Sequence, residues 1–107
     1  MTSFVKMILV YVVCNDKREA DKIAKSIVEK KLAACANIFP ISSFYYWENN
    51  LKEDNEVVLL LKTISDNYEA LEEEIKKLHS YDIPAIIKIN AQANSEFENW
   101  VKENTAR

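Results

Sequence analysis

Apolar and polar positions in the first half of the chain follow the order strand, helix, strand. Residues 5–13 form a nearly continuous apolar run, which indicates a strand covered on both of its faces. Asp16 stands three residues before Glu19, the spacing of a capping box with Asp16 as the N-cap of a helix. The apolar stripe of this amphipathic helix consists of Ala20, Ile23, Ala24, Ile27 and Val28. Residues 32–39 then return as a second strand.

The second half of the chain repeats this pattern. Residues 57–61 form a third apolar strand, and Asp66 stands three residues before Glu69 in another capping box. The stripe of the second helix consists of Leu71, Ile75 and Leu78. Pro84 ends the helical region, and the residues of the last strand include Ile86, Ile87 and Ile89. A third capping box, which begins at Ser95, opens a short C-terminal helix with the apolar residues Phe97, Trp100 and Val101.

This order of elements, β-α-β-β-α-β followed by a C-terminal helix, predicts an α+β fold of the ferredoxin-like class. Two helices should lie on one side of a four-stranded antiparallel sheet with the spatial strand order 4-1-3-2. The first and third strands, which are the most continuously apolar, should be central. The 107 residues suffice for one compact domain and are too few for two. We therefore expect a single ferredoxin-like domain over residues 1–107.

The predicted topology places both cysteines and the single histidine of the chain. Cys14 ends the first strand and His79 ends the second helix, so both should lie at the same rim of the sheet. Cys35 begins the second strand at the opposite rim, and the third strand lies between it and the first. This separation exceeds the ~7 Å Cα distance that a disulfide tolerates. We therefore expect no disulfide between Cys14 and Cys35.

The connection between the second and third strands is long and aromatic. The second strand is predicted over residues 34–47, with Pro40 marking a bulge or an edge position. At ~3.3 Å per residue it reaches ~45 Å, whereas the first helix, with ~16 residues, spans only ~24 Å. The hairpin should therefore project and expose the cluster of Phe44, Tyr45, Tyr46 and Trp47. Exposed aromatic clusters usually mark an interface, so we expect a homo-oligomer in which each hairpin extends a neighbour's sheet.

Composition argues against several classes of function. The net charge is −3 with both signs interspersed, which argues against a nucleic-acid or anionic membrane partner. The chain contains no glycine, which excludes the phosphate-binding loops of the Walker and dinucleotide-binding types. The apolar run that ends at Cys14 is too short to cross a bilayer and has no basic segment before it. We expect a cytoplasmic protein.

Cys14 and His79 form a candidate metal-binding pair. A thiolate and an imidazole suit copper or zinc, but two ligands are too few, and a third would come from Glu, Asp or another subunit. Structural roles are an open alternative, with His79 as a helix C-terminal residue and Cys14 as a small buried apolar side chain. A catalytic thiolate–imidazolium pair is the weaker interpretation, so we expect that the protein is not an enzyme.

Three separated segments of the chain occur in the order and spacing of a known family. They are LAACANIFP over residues 32–40, FYYWENNLKEDNEVVLLLKT over residues 44–63 and LHSYDIPAII over residues 78–87. These segments resemble the CutA family of divalent-cation tolerance proteins, and the resemblance covers nearly the whole chain. It implies a ferredoxin-like homotrimer in which the long hairpins lock adjacent subunits. It also implies binding and tolerance of copper or another divalent cation.

The resemblance also implies a set of metal ligands. The proposed ligands of the family are a cysteine at the end of the first strand and a histidine in an H-x-Y segment, which correspond to Cys14 and His79. Some members have two adjacent histidines, whereas Leu78 precedes the histidine here. The usual glycine after W-E is Asn49, which tolerates the left-handed geometry of a turn, and the usual acid after the proline is Ala85.

Trimeric regulators of the PII type share this architecture and give the alternative function. Clefts between subunits near His79, Tyr81 and Trp47 would then hold an anion or a metabolite. Tyr81 and Pro84, which both match the CutA pattern, are the candidate cleft residues. On this interpretation the protein is a signalling or small-molecule-binding regulator with no direct metal role.

Overall fold

The structure, a computed structural model, describes residues 6–105 and contains the predicted elements in the predicted order. These elements are β1 (Met7–Cys14), α1 (Lys17–Glu29), β2 (Cys35–Trp47), β3 (Asn50–Ile64), α2 (Tyr68–Leu78), β4 (Ile86–Asn90) and α3 (Ser95–Glu103). Val5, the predicted start of the first strand, lies outside the described residues. The helix α1 has 13 residues rather than the expected ~16, because the chain leaves it at Lys30 and turns through Lys31 at a φ of 58°.

The four strands form one antiparallel sheet in the order β2-β3-β1-β4. This confirms the predicted order, with β1 and β3 in the centre. Cys14 lies opposite Val57 of β3, whereas Cys35 lies opposite Lys62 of the same strand. The two cysteines therefore lie at opposite ends of the sheet, and both are free thiols, as predicted.

One face of the sheet carries the main core. Alternate residues of β1 point to this face and are fully buried there, namely Ile8, Val10, Val12 and Cys14. They pack against the apolar stripes of α1 and α2, whose buried members include Ile23, Ile27, Leu71 and Ile75. A fully buried side chain of this size contributes about 1.5–3 kcal/mol, so this layer holds β1 and both helices together.

The opposite face of the sheet is only partly covered. The helix α3 packs Val101 against Met7 and Ile64 at one end of this face. Further along the same face, Phe39 and Ile87 keep 39% and 48% of their surface exposed. An apolar sheet face without a covering layer is typical of a surface that is buried by another chain.

The hairpin formed by β2 and β3 projects from the domain, as predicted. Residues 57–64 of β3 pair with β1, whereas residues 50–56 pair with β2 alone. The described chain is accordingly 54 Å long but only 23 by 21 Å in its other dimensions. The turn uses left-handed backbone at Glu48 and Asn49, with φ of 51° and 65°. Pro40 pairs with Val57 in an unbroken register, so it occupies an edge position and forms no bulge.

Two of the three predicted helix caps differ from expectation. Asp16 caps α1 as predicted, because its Oδ1 accepts the N–H of Glu19 at 2.9 Å. Asp66 does not cap α2, because residues 65–67 form a 3-10 turn that places Asn67 at the N-cap position. Ser95 is the first residue of α3, and the Glu98 carboxylate instead accepts the N–H of Ala93 at 2.8 Å. Within residues 6–105, no helix is long and apolar enough to cross a membrane.

Candidate metal-binding site

Three potential metal ligands meet at one rim of the sheet. Cys14 is the last residue of β1, His79 follows the last residue of α2, and Glu19 lies in the first turn of α1. One ligand atom from each of these side chains lies within 4.8 Å of the others. The proximity of Cys14 and His79 was predicted from topology, and the structure brings the two together. The sequence does not single out Glu19 as a donor, because its spacing from Asp16 predicts only a helix cap.

The imidazole of His79 is held by hydrogen bonds at both of its ring nitrogens. Nε2 lies 2.7 Å from the carbonyl oxygen of Val13, and the backbone N–H of Tyr81 points at Nδ1 at 3.1 Å. A carbonyl can only accept and a backbone N–H can only donate, so the neutral ring carries its proton on Nε2. The His79 side chain has no exposed surface. It therefore ties the segment after α2 to the end of β1.

The thiol of Cys14 is fully buried beside this ring. Burial, together with the nearby carboxylates of Glu19, Asp16 and Glu56, raises the pKa of the Cys14 thiol to about 12. The sulfur is therefore protonated at neutral pH. A buried neutral thiol is a poor nucleophile, and a positive ion beside it would favour the thiolate.

Glu19 connects the start of α1 to the segment that follows α2. Its Oε1 accepts the N–H of Asn15 at 2.8 Å, and its Oε2 accepts the N–H of Ser80 at 2.7 Å. Burial alone would raise the pKa of the Glu19 carboxyl, but the hydrogen bonds from Asn15 and Ser80 lower it. The group is therefore a carboxylate at neutral pH, placed 4.0 Å from Nδ1 of His79.

This donor set matches the chemistry of a divalent-cation site. A thiol, an imidazole and a carboxylate are all ligands of zinc, and the first two also suit copper. The Nε2–H bond from His79 to a backbone carbonyl is the usual way in which a metal-binding histidine is oriented. Binding through Nδ1 would displace the N–H of Tyr81, and Cys14 would have to release its proton. The residues fit a metal under those two conditions.

Tyr81 connects the metal-binding rim to a groove beside the hairpin. Its hydroxyl donates to Oε2 of Glu56 at 2.6 Å, and Glu56 is only 8% exposed. The groove has a volume of about 1090 Å³ and lies between the hairpin and the segment that precedes β4. Tyr81 lines it, whereas Pro84 is half-buried and lies outside the lining.

The four aromatic residues predicted at the interface lie together on the projecting hairpin. Tyr46 is 73% exposed, Phe44 64%, Trp47 55% and Tyr45 39%. Alternation along β2 divides them between the two faces of the ribbon, and Tyr45 donates a hydrogen bond to Asp54 across to β3. Large apolar side chains with this much exposure have not folded back over their own core.

Comparison with known proteins agrees with this architecture. A family model described as "CutA1 divalent ion tolerance protein" matches residues 8–104. The chain belongs to the CutA1 family. The divalent-cation tolerance protein CutA of Pyrococcus horikoshii is 42% identical, over 94% of this chain and 100% of that protein. The resemblance to the CutA family noted in the sequence is thereby confirmed.

Solved CutA1 structures also share the fold. The structure of CutA1 from Ehrlichia chaffeensis has a TM-score of 0.92 at 37% identity and covers 98% of this chain and 100% of that chain. The CutA structure from Archaeoglobus fulgidus, a protein described as periplasmic, has a TM-score of 0.89 at 38% identity. The latter match covers 92% of this chain and 97% of that chain.

Proposed function

We propose that this CutA1 chain acts in divalent-cation tolerance by binding copper or another divalent cation directly, at Cys14 and His79. The observation that supports this most is their convergence from opposite halves of the chain, with the imidazole oriented by the Val13 carbonyl. Bound there, the ion would be held by soft and borderline donors that favour copper and zinc over magnesium or calcium.

The chain's own groups would set the conditions for binding. Cys14 would have to release its proton, and both burial and the neighbouring carboxylates oppose that loss. His79 would keep Nε2–H on the Val13 carbonyl, so that Nδ1 alone is offered. Loss of the acceptor for the Tyr81 N–H costs roughly 1–3 kcal/mol, which is small beside the free energy of a zinc–ligand site.

We further propose that the functional unit is a homotrimer. The support is the incompletely covered sheet face at Phe39 and Ile87, together with the exposed aromatic hairpin. Light scattering on the protein as it elutes from a size-exclusion column should give three times the mass of one chain. A Tyr46→Ser, Trp47→Ser double variant should lower that mass or weaken the assembly on dilution. A wild-type mass of one chain would contradict the proposal.

The metal proposal is tested by anaerobic copper titration of the reduced protein. Wild type should bind one ion per chain, and Cys14→Ser and His79→Ala should each lose it. Cys35→Ser is the matched control, because it removes the other thiol at the opposite end of the sheet and should bind as wild type does. Equal binding by all four proteins, or by none, would contradict a site at Cys14 and His79.

A PII-like small-molecule regulator is the second candidate, and the groove at Tyr81 favours it. In a trimer this groove would lie between subunits, lined by aromatic and acidic side chains. Native mass spectrometry of protein purified without added ligand would reveal an unexplained organic mass if this role is correct. In either case we propose that the protein binds its ligand and does not act as an enzyme, because the protonated Cys14 thiol is a poor nucleophile. We also propose a cytoplasmic location, which cell fractionation would test.

A further inference from the structure

Glu19 brings a carboxylate to the Cys14–His79 pair from a third element of the fold. Its Oε2 lies 4.0 Å from Nδ1 of His79, and the ligand atoms of all three side chains lie within 4.8 Å of one another. The Glu19 side chain is 11% exposed, so the carboxylate forms part of the wall around the two buried groups. Zinc sites use three or four protein ligands, so a third donor at this position has a chemical role to fill.

We propose that Glu19 is the third protein ligand for the divalent cation, an inference that rests on the proposed metal binding at Cys14 and His79. Each carboxylate oxygen has two lone pairs. Oε2 can therefore keep its hydrogen bond from Ser80 while it binds an ion. Leu78, the residue before His79, packs against the core and offers no donor atom.

Only a small contraction would convert the cluster into a coordination sphere. Metal–ligand distances of about 2.0–2.3 Å place neighbouring tetrahedral ligands roughly 3.3–3.8 Å apart. The present 4.0 Å between Glu19 and His79 and the 4.8 Å limit for the cluster are therefore within about 1.5 Å of that geometry. Rotation of the Glu19 side chain would shorten its 4.0 Å distance to His79 while the Asp16 N-cap bond keeps the start of α1 in place.

A second argument is electrostatic. The Glu19 carboxylate lies in the same cluster of donor atoms as the Cys14 thiol. Bringing a divalent cation between them would satisfy both groups, because it neutralises the carboxylate and favours the thiolate. Asp16 also lies near the thiol, but it is not a member of the three-donor cluster. The two carboxylates therefore allow ligation to be separated from a general effect of negative charge.

The test is an anaerobic cobalt(II) titration of the reduced wild type, Glu19→Gln and Asp16→Asn. Cobalt reports thiolate ligation by a charge-transfer absorption band, which is independent of any cellular activity. Glu19→Gln should weaken affinity by about 100-fold or more, which exceeds the roughly 10–100-fold lost when only a hydrogen-bond partner of a ligand is removed. Asp16→Asn removes a charge at the same rim and keeps a good N-cap residue, so its affinity should stay within roughly threefold of wild type. Melting temperatures of both variants check that each is folded.

The outcomes separate this inference from the proposed function. Binding by wild type that is lost in Cys14→Ser and His79→Ala but unchanged in Glu19→Gln would overturn the role of Glu19 and leave the proposed function intact. Equal weakening in Asp16→Asn and Glu19→Gln would reduce Glu19 to an electrostatic contributor and overturn ligation. No binding by wild type would overturn both. If Glu19→Gln does not fold, Glu19→Asp is the substitute variant, because it keeps the carboxylate on a side chain that is one methylene shorter. The shorter side chain should weaken cobalt binding, and unchanged affinity would contradict ligation by Glu19.

Discussion

The buried thiol of Cys14 should make stability fall at alkaline pH. Its folded pKa of about 12 lies above the ordinary value of 9.0, so the folded state resists losing a proton that the unfolded chain releases. The contribution of this thiol to the free energy of unfolding is complete below pH 9 and is lost as the pH rises towards 12. Three pKa units correspond to roughly 4 kcal/mol at full loss, and about half of that, ~2 kcal/mol, is lost by pH 10.5.

The assay compares guanidinium unfolding of wild type and Cys14→Ala under reducing conditions, at fixed protein concentration. Replacement by alanine costs a constant amount from lost packing, so only the pH-dependent part of the difference reports the thiol. The advantage of wild type should shrink by ~2 kcal/mol between pH 8 and pH 10.5. Cys35→Ala controls for effects common to any cysteine variant. A wild-type advantage that stays constant over this range would show that the Cys14 thiol does not titrate with a raised pKa in the folded state.

Three further perturbations test contacts around the rim and the helices. His79→Ala should lower the free energy of unfolding by about 2–5 kcal/mol, because the Val13 carbonyl and the Tyr81 N–H lose their hydrogen-bond partner. Urea denaturation measures this change, and unchanged stability would show that these two hydrogen bonds do not stabilise the fold. Tyr81→Phe should cost about 1.5–3 kcal/mol, and much less in a Glu56→Gln background, as a double-mutant cycle would show. Hydrogen bonds from Lys30 and Ser26, together with the charge of Lys30, lower the pKa of the Glu74 carboxyl. Glu74→Gln should therefore be less stable than wild type at pH 6, and the difference should shrink as the pH falls below 4.5. A stability difference that does not depend on pH would contradict the lowered pKa.

Much of the fold could be predicted, because it depends on patterns that recur along the chain. Strand and helix periodicity identified every element, and the ferredoxin-like topology then determined which ends meet. The proximity of Cys14 and His79 follows from this topology without any contact being known. The projecting hairpin follows from comparing the length of β2 with that of α1. These inferences succeed because chain direction and rise per residue constrain them.

The details of the site depend on side-chain directions that spacing does not encode. Glu19 satisfies a capping-box spacing, yet its carboxylate reaches Asn15 and Ser80 rather than the N–H of Asp16. The bond from the Tyr81 N–H to the His79 ring requires a specific turn after α2. Asn67 turns inward to the Thr63 hydroxyl, where a helix starting at Asp66 was expected. In each case, a local hydrogen bond competes with the regular motif, and packing decides between them.

The proposed function of this CutA1 chain has two parts, direct binding of divalent cations at the rim that holds Cys14 and His79, and assembly as a trimer. Native mass spectrometry of the reduced protein, before and after addition of one equivalent of metal per chain, tests both parts in one experiment. The expected result is the mass of three chains, which rises by three ions in wild type and by none in Cys14→Ser. A single-chain mass would contradict the trimer, and a trimer whose mass does not change after metal is added would contradict direct metal binding.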